Sequence, residues 1–188
     1  MRIRIMLVGV VGLNGSGKNV LADYLVGNYS FVHVDIGQEI RDRLRELGKD
    51  NSRMEMIDLG NKMRMSNGPD YWCRKALDSV NSVNVVITSL RNPAEIDAIK
   101  ERNGIIVEVF ADQETRFSRV LSRVKDGKHG STDFEEFKSM EEMELYNDDP
   151  AKQQVAKCID MADFKIDNNG TMDDFYMKAA EIFNSMEM

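Results

Sequence analysis

Ile3-Arg4-Ile5-Met6-Leu7-Val8-Gly9-Val10-Val11-Gly12-Leu13-Asn14-Gly15-Ser16-Gly17-Lys18 decides the fold. Up to Val11 the apolar, largely β-branched residues run without the alternation of a half-exposed strand, the pattern of a central parallel strand covered on both faces. Gly12 to Lys18 then fits G-x-x-x-x-G-K. From Lys18 to Val26 the residues Val20, Leu21, Tyr24 and Leu25 fall at helical spacing, and Gly27 and Asn28 are end signals. In the order strand, glycine loop, helix, backbone N–H groups converge on one concavity and the helix N-terminus adds a positive end. Gly12, Asn14, Gly15, Ser16, Gly17 and Lys18 are therefore read as a phosphate-binding loop, with Lys18 reaching the outer phosphates. Asn19 stands where Ser or Thr usually offers Mg²⁺ a hydroxyl; an amide oxygen is a chemically suitable substitute.

Outward from this loop, strands are expected over Phe31–Asp35, Val83–Thr88, Ile105–Phe110 and Phe164–Ile166. Helices are expected over Gln38–Leu47, Ser52–Gly68, Tyr71–Val80, Asn92–Arg102, Glu114–Val124, from Thr132, over Pro150–Met161, and from Thr171 to the C-terminal region. Ser52 with Glu55 and Thr171 with Asp174 have capping spacing, and Asn92-Pro93 suits a cap followed by a first helical residue. Strands alternating with helices imply right-handed crossovers between parallel strands. The expected architecture is α/β, a three-layer α/β/α domain with about five parallel strands spanning residues 1–188. It would carry a helical substrate-binding segment over about 38–80 and a short lid over about 124–132.

A formal net charge of −7 argues against a nucleic-acid coat or a polybasic membrane patch. Cys73 and Cys158 match no metal or redox spacing, so two reduced, partly buried thiols in a cytoplasmic protein are expected. The N-terminal apolar run is too short to span a bilayer and has no small-residue cleavage site.

Phosphoryl transfer depends on positioning and on cations around developing charge, which directs attention to arginines. Arg41 and Arg64 lie on the helices after the second strand, and Arg91 follows the third strand. Ligands of open parallel sheets bind beyond the carboxyl ends of strands, where Arg91 and Asp35 fall. Arg41, Arg64 and Arg91 are candidate acceptor-binding residues; for the first two, a solvated helix face is the plain alternative. Asp35 is a candidate base, or a ligand of Mg²⁺ with Asn19, and alternatively the cap of the next helix. Arg116, Arg119 and Arg123 share a helix stripe leading into the lid; Arg116 and Arg123 are candidates to close over phosphates, against a surface stripe paired with acids. His33 and Trp72 read as packing residues.

With these residues in place, the chain resembles the nucleoside monophosphate kinase-like branch of P-loop kinases, in particular dephospho-coenzyme A kinase-like and adenylate kinase-like proteins. Beyond the loop, the resemblance rests on Val34 to Arg41, Ser89 to Glu95, Arg116 to Arg123 and Ala162 to Thr171. It departs at Asn19, and at Val34-Asp35-Ile36-Gly37, where dephospho-coenzyme A kinases usually show paired aspartates. The resemblance implies ATP and Mg²⁺ as cofactors, Asn169 and Gly170 beside the adenine through backbone groups, and Arg41, Arg64 and Arg91 around the acceptor. It also implies transfer of the γ-phosphoryl group to dephospho-coenzyme A or a nucleoside or deoxynucleoside monophosphate. A small-molecule acceptor is the expected partner, without nucleic acid or membrane, for a monomer or weak homodimer. The alternative is a P-loop ATPase serving as a nucleotide-dependent assembly or regulatory factor.

Overall fold

The computed structural model describes residues 6–82, 84–125 and 130–186. In chain order these form β1 (Met6–Val11), α1 (Lys18–Tyr29), β2 (Val32–Asp35), α2 (Ile36–Glu46), α3 (Arg53–Asn67), α4 (Tyr71–Asp78), β3 (Asn84–Thr88), α5 (Pro93–Lys100), β4 (Ile105–Phe110), α6 (Gln113–Lys125), α7 (Phe134–Leu145), α8 (Val155–Asp160), β5 (Phe164–Asp167) and α9 (Met172–Met186). The strands make one parallel sheet in the order β2-β3-β1-β4-β5.

The unalternating hydrophobicity of β1 is explained by what lies on either side of it. Leu7 and Val11 join one buried cluster with Ile36, Leu44, Trp72, Ile87 and Ile99. Val8 and Val10 join another with Leu21, Leu25, Val107, Phe175 and Phe183. Successive side chains of a strand point to opposite faces, so both faces of β1 need apolar residues, and the three-layer α/β/α arrangement follows. Gly9 marks the tightest point: a Cβ there would lie 2.7 Å from Ile106 Cδ1 and 2.8 Å from Ile99 Cδ1. Gly9→Ala is expected to cost about 1–3 kcal/mol through overpacking. Thermal denaturation tests this, and an unchanged midpoint would refute the tight contact.

Several element boundaries differ from the sequence expectation for identifiable reasons. Helix α1 continues past Gly27 and Asn28 to Tyr29 and stops at Ser30, whose φ of 56° is left-handed. Helix α2 starts at Ile36 because Asp35 caps it, accepting from Gly37 N at 2.9 Å. The helix expected from Pro150 forms only at Val155. Asn92 Nδ2 donates to the carbonyls of Pro150 and Lys152, and Gln154 N donates to Arg91 O at 2.8 Å, which holds this segment against the turn after β3. Asp133 rather than Thr132 caps α7, accepting from Glu136 N.

Trp72 is a packing residue, 2% exposed, with its indole N–H on Gly60 O. Both cysteines are free and buried in the cluster that holds Trp72, and burial pushes both thiols far above their ordinary range. No helix among the described residues is long and apolar enough to cross a membrane.

Candidate functional site

At the carboxyl end of β1 the chain turns through Gly12 at φ 140° into the loop that starts α1. A Cβ on Gly12 would stand 2.3 Å from Val109 O, so only glycine allows the loop to leave the sheet so closely. Gly17 is also left-handed at φ 109°, and a Cβ there would lie 2.3 Å from Asn168 Nδ2. Lys18 folds back and donates from Nζ to Gly12 O and Leu13 O, both at 2.9 Å. Its ammonium is thus held at the loop. Burial, followed by repulsion from Arg91 and Arg53, pushes its pKa well below the usual lysine range. The Ser16 hydroxyl is buried with no hydrogen-bond partner among the described residues.

The loop is braced from behind by residues distant in sequence. Asn168, at the end of β5, donates from Nδ2 to Ser16 O at 2.7 Å. Arg119 reaches Gly15 O and Ser16 O, each at 3.4 Å, and Asn168 O at 2.7 Å. Arg116 donates from Nη1 to Asn14 O at 3.3 Å and from Nε to Ala111 O at 2.9 Å, and its fork is paired with Glu141 of α7.

These contacts correct the expectation for the arginine stripe. Arg116 is 4% exposed and fully engaged, so it positions the loop and does not reach over the phosphate side. Arg119 does the same from one turn further along. Arg123 alone of the three lines the open cleft, with Nη2 on Asn14 Oδ1 at 3.3 Å. Residues 126–129 of the expected lid lie outside the described residues. Asn169 and Gly170 are exposed; Asn169 Oδ1 accepts from Asp112 N at 2.8 Å, and the residue touching the loop is its neighbour Asn168.

Asp35, ending β2, serves both as cap and as partner. Ser89 donates its hydroxyl to Oδ1 at 2.6 Å, and Arg41 Nη2 lies 3.1 Å from Oδ2. Burial pushes the carboxyl up, but the Ser89 hydroxyl, Arg41 and the Gly37 N–H together outweigh it and hold the group below its ordinary range. Among the described residues no group of three or more His, Cys, Asp or Glu could hold a metal. Asn19, exposed on the cleft, offers an amide oxygen, whereas both carboxylate oxygens of Asp35 are engaged by Ser89, Gly37 and Arg41. Mg²⁺ keeps several waters and takes further oxygens from phosphates, so a sparse protein donor set is compatible with it.

Beside Asp35 lies a cavity of about 70 Å³ lined by Arg41, Arg53, Arg64, Arg91, Glu144 and Gln153, among others. Arg64 has a completely buried side chain and donates from Nε to Glu95 Oε1 at 2.9 Å. Its Nη1 and Nη2 have no hydrogen-bond partner among the described residues. Glu95 also accepts from Arg91 N at 2.7 Å and Asn92 N at 3.1 Å, fixing the turn after β3. Arg91 Nη1 and Arg53 Nε donate to the two oxygens of Glu144, at 2.5 and 2.6 Å. Burial pushes the Glu144 carboxyl up, and Arg91 and Arg53 more than offset it, so it is held below the ordinary range.

A larger cleft of about 910 Å³ adjoins this cavity, sharing Arg41, Arg53 and Met56 and running past Asn14 and Asn19 to Arg123. The structure thus brings Arg41, Arg64 and Arg91 to one cavity next to Asp35. It adds Arg53 and Glu144, which the sequence expectation omitted. Arg53 and Arg64 are eleven residues apart, just over three helical turns, so a common face of α3 was the available signal.

No family model matches the chain. A protein of Thermoplasma acidophilum bearing the description UPF0200 protein is 24% identical over 179 residues, covering 94% of each chain. Among solved structures, shikimate kinase from Acinetobacter baumannii in complex with shikimate superposes with a TM-score of 0.57 at 17% identity, covering 96% of this chain and 92% of the other. A gluconokinase from Sinorhizobium meliloti gives a TM-score of 0.55 at 12% identity, with 99% and 98% covered. At such identities the likeness is one of fold: the chain has the architecture of P-loop kinases.

Proposed function

We propose that this chain is a phosphotransferase of the P-loop kinase type. Its acceptor is a small anionic molecule of nucleotide-like size; dephospho-coenzyme A and nucleoside or deoxynucleoside monophosphates are the first candidates. The observation that carries the reading is the unpartnered, fully buried fork of Arg64 in a cavity that adjoins the cleft running past Asn14 and Asn19 of the phosphate-binding loop. A buried guanidinium with free N–H groups is costly unless something anionic completes it, and arginine forks match carboxylate and phosphate oxygens. A nucleotide switch without an acceptor has no use for this second cationic site, which places the assembly-factor alternative behind.

When bound, ATP supplies the γ-phosphoryl group, and Mg²⁺ neutralises charge on its oxygens. The residues of this chain then divide the work. The glycine cradle of Gly12, Gly15 and Gly17 with Asn14 and Ser16 receives the phosphates, and Lys18 exchanges its loop carbonyls for phosphate oxygens. Asn19 offers the metal its amide oxygen. Arg123 faces the donor side, while Arg116 and Arg119 hold the loop in shape. Arg41, Arg64 and Arg91 take the anionic group of the acceptor on the 38–80 helical segment and the turn after β3. The acceptor oxygen forms its bond to phosphorus as the bond to the ADP oxygen breaks, and a hydroxyl acceptor loses its proton to Asp35 or to water. Asp35 is a weak base when held low, which suits a loose transition state in which charge placement dominates.

ADP release from ATP and Mg²⁺, measured with each candidate acceptor and with none, tests the proposal. One acceptor is expected to stand well above the background hydrolysis. A flat response across the panel, with ATP still bound, would favour the assembly-factor reading.

A further inference from the structure

Of the charged residues lining the arginine cavity, Glu144 and its partner Arg53 are left without a role by the proposed reaction. Glu144 comes from α7, whose buried residues are Phe137, Glu141 and Glu144. Phe137 and the half-buried Phe134 pack against Phe117 of α6, and the two carboxylates seat the rest of the inner face. Glu141 clamps Arg116, which in turn touches the phosphate loop at Asn14 O. Glu144, one turn on and 2% exposed, sits between Arg53 and Arg91 with one oxygen on each.

We propose that Glu144 is an internal stand-in for the acceptor, its carboxylate filling an anion subsite made by Arg53 and Arg91 that an incoming phosphate group must take over. Three features carry this inference. The charges are unequal: Arg41, Arg53, Arg64 and Arg91 line the cavity, while the carboxylates paired with them are Asp35, Glu95 and Glu144. Exchange of the single charge of Glu144 for a phosphate dianion brings the cluster closer to balance. The subsite is also wider than its present occupant needs, since the free fork of Arg64 lines the same cavity and a tetrahedral group offers it a further oxygen. Finally, the Glu144 end of α7 is seated by ion pairs while Phe134 and Phe137 pack the other end on Phe117, so an anion that competes for Arg53 and Arg91 releases the Glu144 end.

The consequence is selectivity. An acceptor with a phosphate displaces Glu144; a neutral one leaves it in place, with Arg53 and Arg91 occupied. This rests on the proposed acceptor site, but its test needs neither ATP nor turnover. Inorganic phosphate is titrated calorimetrically into the wild type, Glu144→Gln, and Glu144→Gln combined with Arg53→Gln, with chloride at matched ionic strength as control.

Glu144→Gln is expected to bind phosphate about tenfold more tightly than the wild type, with the gain lost in the double variant. Because Arg53 and Glu144 both act on the charge of Lys18, the three titrations are repeated in a Lys18→Ala background, which removes the contribution of the glycine loop. Equal affinity in wild type and Glu144→Gln would overturn the proposal. If the variant does not fold, hydrogen–deuterium exchange on the wild type decides: phosphate is expected to accelerate exchange across α7. Unchanged or slower exchange there shows that Glu144 is a fixed structural partner. A flat acceptor panel together with tighter phosphate binding by Glu144→Gln would refute the kinase reading while leaving the subsite standing.

Discussion

Lys18→Ala is expected to reduce turnover with the best acceptor by about 10²- to 10³-fold, the usual effect of deleting one preorganised charge-stabilising donor. The folded state has little to lose by the change. Lys18 contributes two hydrogen bonds to loop carbonyls and at the same time suffers burial and the repulsion of Arg91 and Arg53. Net destabilisation of about 1 kcal/mol, or about 2–4 °C in a chain of this size, is expected. Rate and melting temperature measured on one preparation therefore separate chemistry from folding. Full turnover in the variant would remove the glycine loop from the reaction.

The largest effect on stability is expected at Glu95. Its carboxylate is fully buried, neutralises Arg64, and accepts the N–H groups of Arg91 and Asn92. Glu95→Ala strands a buried guanidinium and two backbone donors, a loss of about 3–5 kcal/mol, which corresponds to a fall in melting temperature of about 6–20 °C. Replacing both partners, as Arg64→Met with Glu95→Leu, is expected to recover much of this stability, because a well-packed apolar pair often matches a buried ion pair. Acceptor binding is not expected to return, since the free fork is gone. A double variant that melts like Glu95→Ala would show that the N–H contacts, and not the ion pair, dominate.

What could be read in the sequence was what depends on near neighbours. Strand β1, the glycine loop and α1 are encoded within a few residues of one another, as is the Asn92-Pro93 start of α5, whose capping box Glu95 completes. The strand count and order of elements followed from local periodicity. The roles of most single arginines did not, because they are fixed by partners far along the chain. Arg53 meets Glu144, 91 residues away, and Arg116 meets Glu141, 25 residues away. Spacing placed Arg116, Arg119 and Arg123 on one stripe, but did not reveal that Asn14, Gly15 and Ser16 carbonyls would claim two of them. Residues Pro150 to Gln154 had a helical pattern that Asn92 and Arg91 override by capturing their backbone groups. Asn168, which the sequence did not single out, braces the loop through Ser16 O, a contact fixed by a residue 152 positions away.

The two buried thiols have a practical consequence. Cys73 and Cys158 are the only cysteines in the sequence, and both are enclosed in the core and held protonated by burial. Thiolate is the species that maleimides and iodoacetamides attack, so in the native protein neither position competes for such reagents. A cysteine introduced on the outer surface of α7 and a second on α3 would take fluorophores selectively, without prior removal of the natural residues. The separation of those two helices then becomes an optical distance, readable while ligands enter and leave.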